Sequence, residues 1–267
     1  MTLLDFVIFA PLIAFLVALA LPKDNPNLVR MWSLISSLAI FMMRIPEKVA
    51  RVSLLAPVWG YLWQYRLATV RMNTPWDWAL LFLAVEFCYY WAHRGGHRVR
   101  WMWATHAVHH SPSRIHLASA VRLGVTGLLS GEWLFYLPLA LIGFPPGAVT
   151  GMLVANLLYQ FWLHTDLIGR LGPLDWMVNT PSNHRVHHAS NEVYLDRNFG
   201  GVLMIWDHLF GTYAAERKDV PITYGLVHPI ESRNPLTVAF HQWREIGRRI
   251  AGAGSAGEKA RYLIGPP

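Results

Sequence analysis

The sequence contains a single cysteine, Cys88, among its 267 residues. One thiol cannot form an intramolecular disulfide, and it cannot supply a thiolate cluster for a metal ion. Charged residues are also few: Asp, Glu, Lys and Arg together make up 15% of the chain, whereas soluble domains average about 25%. These shortages exclude a disulfide framework and argue against an ordinary soluble domain.

Apolar and aromatic residues take the place of the missing charges. Hydrophobic residues make up 54% of the chain, which includes 13 Trp, 10 Tyr and 12 Phe. This composition is typical of a membrane protein. The formal net charge of +7 is therefore interpreted as basic groups facing anionic headgroups on the cytoplasmic side, and no nucleic-acid partner is expected.

Long apolar runs predict an all-α fold, an integral membrane helical bundle of about 4–5 spans with a cytosolic helical cap. We expect one domain over 1–267, with N-terminal spans and interfacial helices in 1–75, a core in 76–216 and a tail in 217–267. The tail after residue 246 is expected to be frayed or interfacial. Predicted spans lie at 3–21, 76–91, 123–144 and 148–163, and one of 31–43 and 52–63 is expected to cross as well.

The spacing of the histidines is the strongest chemical signal. His93 and His97 are four residues apart, and His106, His109 and His110 follow an i, i+3, i+4 pattern. On an α-helix these offsets place side chains on one face, one turn apart. Neutral imidazole is the commonest protein ligand for a transition metal. The spacing therefore predicts a metal site.

The same spacing recurs later in the chain. His184, His187 and His188 repeat the i, i+3, i+4 pattern, and Gln160 and His164 lie four apart at the end of an apolar run. Nine histidines are more than one ion can use, so the sequence predicts two metal ions with nitrogen-rich ligand shells. The competing interpretation, histidines scattered over surface and core, does not account for the repeated spacing.

The chain resembles the fatty acid hydroxylase/sterol desaturase superfamily of integral membrane di-iron enzymes. The resemblance covers roughly 76–216 and rests on the four histidine groups in order. It extends to the motifs YYWAHR at 89–94, NTPSNHRVHH at 179–188 and NFGGVLMIWDHLFGTY at 198–213. Within the superfamily, the last motif is most similar to the branch of alkylglycerol monooxygenases and bacterial sterol desaturase-like proteins.

The resemblance implies two iron ions, dioxygen as oxidant, and oxygenation or desaturation of a lipid C–H bond. It implies an external electron donor, either a separate reductase or a pterin. Some relatives have a histidine at the position of Gln160, which makes this amide a possible tenth ligand. The implied metal ligands are His93, His97, His106, His109, His110, His164, His184, His187 and His188.

Carboxylates are expected to support the ligands by accepting their free ring N–H groups. Asp196 and Asp207 are the leading candidates, and Glu86 and Asp166 are weaker ones. His116, six residues after the second histidine group, is a candidate for a supporting or pocket role. Several arginines near the histidines are candidates for docking an acidic electron donor or phosphate headgroups: Arg94, Arg98, Arg100, Arg114 and Arg185.

The leading hypothesis is an oxygen-dependent lipid hydroxylase of the bacterial inner membrane or endoplasmic reticulum. Its active site would face the cytoplasm, and its lipid substrate would enter from the bilayer. Desaturation of a sterol or acyl lipid at the same site, and oxygenation of an ether lipid such as an alkylglycerol, are the alternatives. A membrane metal-binding or transport protein is a different class, which the gathering of histidines at span ends disfavours.

Overall fold

The computed structural model describes residues 53–124, 126–232 and 235–267. These residues form helices and turns, with two isolated bridges and no strand. The all-α prediction is therefore confirmed for the described part of the chain. The expected spans 3–21 and 31–43 lie outside it.

The helices are short apart from three. In chain order they are α1 (53–64), α2 (Pro75–Arg98), α3 (Arg100–His110), α4 (Leu117–Ala120), α5 (Leu137–Ile142), α6 (Pro146–Phe161), α7 (Pro173–Met177), α8 (Pro181–His187), α9 (Ile205–Leu209), α10 (Pro235–Gly252) and α11 (Ala256–Ile264). Two 3₁₀ turns, Glu132–Tyr136 and Glu192–Tyr194, complete the set.

Helix α2 carries the first histidine pair on its last turns. It begins at a capping box, in which the Thr74 side chain accepts from the Asp77 N–H and the Asp77 carboxylate accepts from the Thr74 N–H. Pro75 occupies the first helical position, where its missing N–H costs nothing. The helix ends at Val99, whose extended backbone turns the chain directly into α3.

The predicted helix over 123–144 is wrong as a continuous element. Gly131 has φ of 77° and is followed by the 3₁₀ turn and then by α5, which has a proline in its first turn. A left-handed backbone cannot continue a right-handed helix, so the apolar run breaks there. Among the described residues, no helix is both long enough and apolar enough to cross a bilayer.

The apolar core joins α2 to α5 and α6. Leu81, Val85, Leu139, Ala140 and Val149 are at most 2% exposed and belong to one cluster. Burying such a side chain contributes about 1.5–3 kcal/mol for a Val or Leu. This packing fixes the helix ends from which His93, His97 and the segment containing His164 project.

The C-terminal segment is helical, so the frayed alternative for the tail is wrong, while the interfacial alternative stays a prediction. Helix α10 packs on α3, and α11 contacts both. The Arg100 guanidinium donates to the carbonyls of Tyr262 and Pro266, so it holds the chain end against α3. Arg100 thus has an internal role, and docking by this residue stays a prediction.

Candidate metal centre

The structure brings all nine predicted histidines together in two adjacent clusters. Within each cluster, one nitrogen from every residue lies within 4.8 Å of all the others. The five-histidine cluster consists of His93, His97, His106, His110 and His187, and the four-histidine cluster consists of His109, His164, His184 and His188.

Each H-x-x-H-H box contributes to both clusters. His106 and His110, one turn apart on α3, enter the five-histidine cluster, while His109 enters the other. The box of His184, His187 and His188 reverses this arrangement. His184 and His188 enter the four-histidine cluster, and His187 enters the five-histidine cluster. The clusters therefore interlock. The rings of His110 and His188, one from each, stack with centroids 4.3 Å apart.

The separations between ring nitrogens are those of neighbouring ligands on one ion. The Nε2 atom of His106 lies 3.2 Å from that of His93 and 3.1 Å from that of His110. In the other cluster, His184 Nε2 lies 2.9 Å from that of His164 and 3.1 Å from that of His188. Metal–imidazole bonds of about 2.1 Å at right angles place two nitrogens about 3.0 Å apart.

Burial keeps the imidazoles in the neutral form that binds metals. It lowers the pKa of His93 to about 4, and it lowers the pKa values of His106 and His188 well below the ordinary value. Neighbouring histidines add to the effect on His106 and His188, since a second positive charge in the cluster would be repelled. At neutral pH these rings therefore have nitrogen lone pairs free to bind a metal ion.

One loop orients two rings of the five-histidine cluster through hydrogen bonds and places a carboxylate near a third. The carbonyl of Phe199 accepts from His93 Nδ1 at 2.9 Å, and the carbonyl of Arg197 accepts from His187 Nδ1 at 3.0 Å. Asp196 places a carboxylate oxygen 3.8 Å from His97 Nδ1. The opposite Nε2 atoms of His97 and His187 are buried with no hydrogen-bond partner among the described residues. Those two atoms therefore fit a metal.

The loop has this shape because two of its residues adopt left-handed backbone. Asp196 has φ of 58° and Asn198 has φ of 57°. Asn and Asp tolerate this region better than other non-glycine residues. The Asn198 side chain donates to the carbonyls of Asn183 and Ala214, so the loop is bound to α8. These backbone acceptors were not predicted from the sequence. The signal for them was the pair Asp196 and Asn198, two residue types that tolerate left-handed backbone.

The two leading carboxylates act differently. Asp196 lies beside His97 and also pairs with Arg98 at 2.6 Å. Asp207 touches no histidine of the clusters; it accepts from the N–H groups of Phe199 and Gly200. The contact expected between Asp207 and a ligand ring is therefore replaced by support of the loop that carries the Phe199 carbonyl.

Other expected residues lie away from the clusters or have different partners. His116 belongs to neither cluster; it is exposed and begins α4. Asp166 accepts from the Tyr224 hydroxyl at 2.5 Å, and Glu86 accepts backbone N–H groups from Val202 and Leu203.

The Arg185 side chain is 7% exposed and pairs with Glu216 at 2.6 Å, so it is not a docking residue. Its guanidinium also donates to the carbonyls of Thr165 and Ile168. Glu216 was not identified from the sequence. It also accepts from the Ser182 hydroxyl, so it joins two residues of α8.

Two all-imidazole clusters on a helical scaffold define a histidine-box protein whose clusters could each hold a metal ion. The family model of fatty acid hydroxylases matches residues 78–212, which is half of the chain and includes every histidine of both clusters. The chain belongs to the fatty acid hydroxylase family.

Curated relatives include lipid-oxidising enzymes. Human alkylglycerol monooxygenase is 48% identical over 182 residues, 68% of this chain and 40% of the relative. The zebrafish (Danio rerio) alkylglycerol monooxygenase is 41% identical over 232 residues, 86% of this chain and 51% of the relative. Ornithine lipid hydroxylase OlsE of Rhizobium tropici is 32% identical over 145 residues, 52% of this chain and 44% of the relative.

The chain covers about half or less of the length of these alkylglycerol monooxygenases. No solved structure gave a significant match.

Proposed function

We propose that the two clusters hold two iron ions and that the protein is an oxygen-dependent lipid hydroxylase. The observation that carries this proposal is the pair of clusters, in which nine imidazoles face one another at ligand spacing. The matched family and the curated relatives are named as hydroxylases and monooxygenases. Zinc has no redox chemistry, so oxygenation favours iron among the ions that imidazole binds.

An aliphatic C–H bond offers no acid, dipole or leaving group for a side chain to exploit. When bound, the irons would supply the power to activate dioxygen against such a bond. The chain itself supplies position and shielding. The loop 196–200 orients the rings of His93 and His187. The histidines of both clusters are buried except His106, which is half-buried. Burial also keeps bulk water from the reacting groups.

We also propose that the protein is embedded in a membrane and takes its substrate from the bilayer. In the described part of the chain, α2 exposes an apolar stripe at helical spacing, formed by Trp76, Leu80, Leu83 and Phe87. Their exposed fractions run from 41% to 82%. Contiguous apolar surface of this kind is typical of a lipid or partner contact. The stripe lies mostly on the N-terminal half of α2, the helix that carries His93 and His97 near its other end.

The first test measures metal content and product mass in the same preparation. Purified protein is analysed for iron and then supplied with a lipid, dioxygen and either a reductase or a reduced pterin. We expect two irons per chain and a product heavier by one oxygen atom. Loss of two hydrogens instead would establish desaturation, and retention of both metals without any lipid product would favour a metal-binding protein.

Matched variants assign the activity to the clusters. His109→Ala and His188→Ala remove one buried ring each, whereas His228→Ala removes an exposed histidine outside both clusters. We expect the first two to lose iron and product, and the third to behave as wild type. Full iron occupancy and full lipid oxidation in both cluster variants would disprove the proposal.

An ether lipid is the substrate class to test first. The relatives that share 41–48% identity are named alkylglycerol monooxygenases, while the named ornithine lipid hydroxylase shares 32%. We therefore propose that an alkylglycerol is oxidised in preference to an acyl lipid of equal chain length. Competition between the two lipids in one vesicle preparation measures this preference directly.

A further inference from the structure

A buried chain of hydrogen bonds lies beside the four-histidine cluster. The Tyr89 hydroxyl donates to Gln160 Oε1 at 2.7 Å, Gln160 Nε2 donates to Asn156 Oδ1, and Asn156 Nδ2 donates to Glu86. Gln160 is 7% exposed, Asn156 is 3% exposed and Glu86 is fully buried. This chain joins α2 to α6 through side chains alone.

The direction of these hydrogen bonds is set at the Glu86 end. Glu86 Oε2 accepts the N–H groups of Val202 and Leu203 at 2.8 and 2.7 Å, and Oε1 faces Asn156. With Glu86 ionised, the carboxylate only accepts, so Asn156 turns its NH₂ toward Glu86 and its oxygen toward Gln160. Gln160 must then present its NH₂ to Asn156, which leaves its oxygen to accept from Tyr89.

That assignment engages one of the two lone pairs on the only atom through which Gln160 could bind a metal. Amide ligands coordinate hard and borderline cations through oxygen, and the Gln160 oxygen already accepts the Tyr89 proton at 2.7 Å. The residue contributes to the cluster in a different way. Its backbone carbonyl accepts from His164 Nδ1 at 3.1 Å and so orients that ring.

The two clusters also differ in the number of histidines. One has five and the other has four, and Gln160 lies in the last turn of α6, four residues before His164 of the smaller cluster. His164 follows the end of that helix, and the hydrogen bond from its Nδ1 to the Gln160 carbonyl keeps the two residues side by side. Gln160 is therefore at the position from which a fifth donor could come, and its amide is held by Tyr89 and Asn156 instead.

We infer that Gln160 is a positioning residue and that the ion of the four-histidine cluster has one protein ligand fewer than its neighbour. This ion is the one that binds a small external ligand, because its ligand shell has room. The inference rests on the proposed two-metal site. It does not depend on which lipid, if any, the protein oxidises.

Cobalt(II) loading tests the role of Gln160. Wild type, Gln160→Leu, Asn156→Leu and His164→Ala are saturated with Co²⁺, and bound cobalt is counted per chain. We expect two ions for wild type and for both leucine variants, with affinity lowered by about tenfold, as for loss of a supporting hydrogen bond. His164→Ala should lose one ion. Circular dichroism of each variant establishes that it is folded.

Asn156→Leu is the matched control, because it breaks the same buried chain one residue farther from the cluster. Loss of one ion by Gln160→Leu alone would make Gln160 a ligand and overturn the inference. An equal fall in cobalt affinity in both leucine variants, with two ions still bound, would support action through the hydrogen-bond chain rather than through direct coordination.

Azide is the probe for the external ligand. We expect the visible spectrum of the cobalt protein to change on addition of azide and to saturate at one azide per chain. Gln160→His adds an imidazole beside His164 and should abolish this response, whereas Gln64→His, on the exposed surface of α1, should leave it intact. Two equivalent azides per chain, or no azide bound by wild type, would overturn the inference.

Failure of this inference can be distinguished from failure of the proposed function. If wild type binds two cobalt ions with the predicted azide response but oxidises no lipid, the proposed activity fails and the ligand asymmetry stands. If wild type binds fewer than two ions, both fail.

Discussion

The Nε2 atoms of His164 and His184 lie 2.9 Å apart, although the two residues come from different segments of the chain. His164 follows the end of α6, and His184 lies in α8. The distance is that of adjacent ligands on one ion. It depends on how the two segments are held together, so stability and metal binding should change together in this protein.

Metal removal should lower the melting temperature. An ion that binds only the folded state stabilises it by about 3 kcal/mol when present at a hundred times its dissociation constant. For a domain of this size that corresponds to a fall of about 6–12 °C per ion on chelation. The measurement is thermal unfolding of the purified protein with and without a chelator, with metal content determined alongside.

Restoring Fe²⁺ to the chelated protein is the control and should recover the melting temperature. A preparation that has demonstrably lost both metals but melts at the original temperature would show that the clusters are stable without ions. That outcome would remove the coupling between folding and metal binding.

Replacing Asp207 should loosen the five-histidine cluster from a distance. Its carboxylate accepts from Phe199 N–H, Gly200 N–H and the Thr212 hydroxyl at 2.6 to 2.8 Å. Asp207→Ala leaves two buried N–H groups unsatisfied, which costs about 2–6 kcal/mol. The Phe199 carbonyl that orients His93 moves with the loop, so metal affinity should fall as well. Thermal unfolding and metal titration measure the two effects.

Asp219→Ala serves as the control, because Asp219 is exposed and pairs only with Arg217. It should change neither measurement. If Asp207→Ala melts early but keeps wild-type affinity for both ions, the loop supports the fold and has no part in orienting His93.

The sequence predicted which histidines form the site, because helical spacing survives any arrangement of the helices. It did not predict how they divide. His109 and His110 are neighbours in the chain but belong to different clusters, since they point about 100° apart on α3 and face different segments. Which segment lies opposite each ring depends on tertiary packing, which single-residue spacing does not encode.

The backbone carbonyls that orient the histidine rings could not be predicted from the sequence either. The carbonyls of Arg197 and Phe199 orient two rings, and a carbonyl has no residue-specific signature. The prediction of a continuous helix over 123–144 was wrong for another reason that involves the backbone. Its apolar composition indicated a helix, while the left-handed Gly131 in the middle broke it.

Gly201 should not tolerate a side chain. A Cβ there would lie 2.5 Å from Asn156 Nδ2 and 3.0 Å from Glu86 Oε1, both buried polar atoms of the chain that ends at Tyr89. Gly201→Ala must push them apart, and we expect a loss of about 1–3 kcal/mol, as for other overpacked cores. Thermal unfolding measures the loss, and the cobalt count shows whether the nearby cluster is affected.

Gly151→Ala is the matched control for Gly201→Ala. A Cβ at Gly151, inside α6, meets nothing within 4 Å. Alanine in a helix interior is favoured over glycine by about 0.5–1 kcal/mol, so this variant should melt at or above the wild-type temperature. Equal melting temperatures for the two variants would mean that the loop around Gly201 shifts without cost.

A variant of Arg185 can distinguish the docking role expected from the sequence from the buried structural role seen in the structure. Its guanidinium bridges Glu216 to the carbonyls of Thr165 and Ile168, so it ties α8 to the segment that follows His164. Lysine carries its donors on one nitrogen, which cannot reach Glu216 and both carbonyls as the separate guanidinium nitrogens do. Arg185→Lys keeps the charge but should lose about 1–3 kcal/mol, because a buried carbonyl that loses its donor is left unsatisfied.

The same variant should weaken metal binding in the four-histidine cluster, because His164 and His184 would no longer be held at 2.9 Å. Arg217→Lys, in the exposed pair with Asp219, is the control and should leave the melting temperature unchanged. If Arg185→Lys instead keeps its stability and both metals but loses turnover only when a protein reductase is the electron donor, Arg185 reaches the surface in solution and docks that donor. The buried pair with Glu216 predicts the opposite: early melting and weaker metal binding with every electron donor tested.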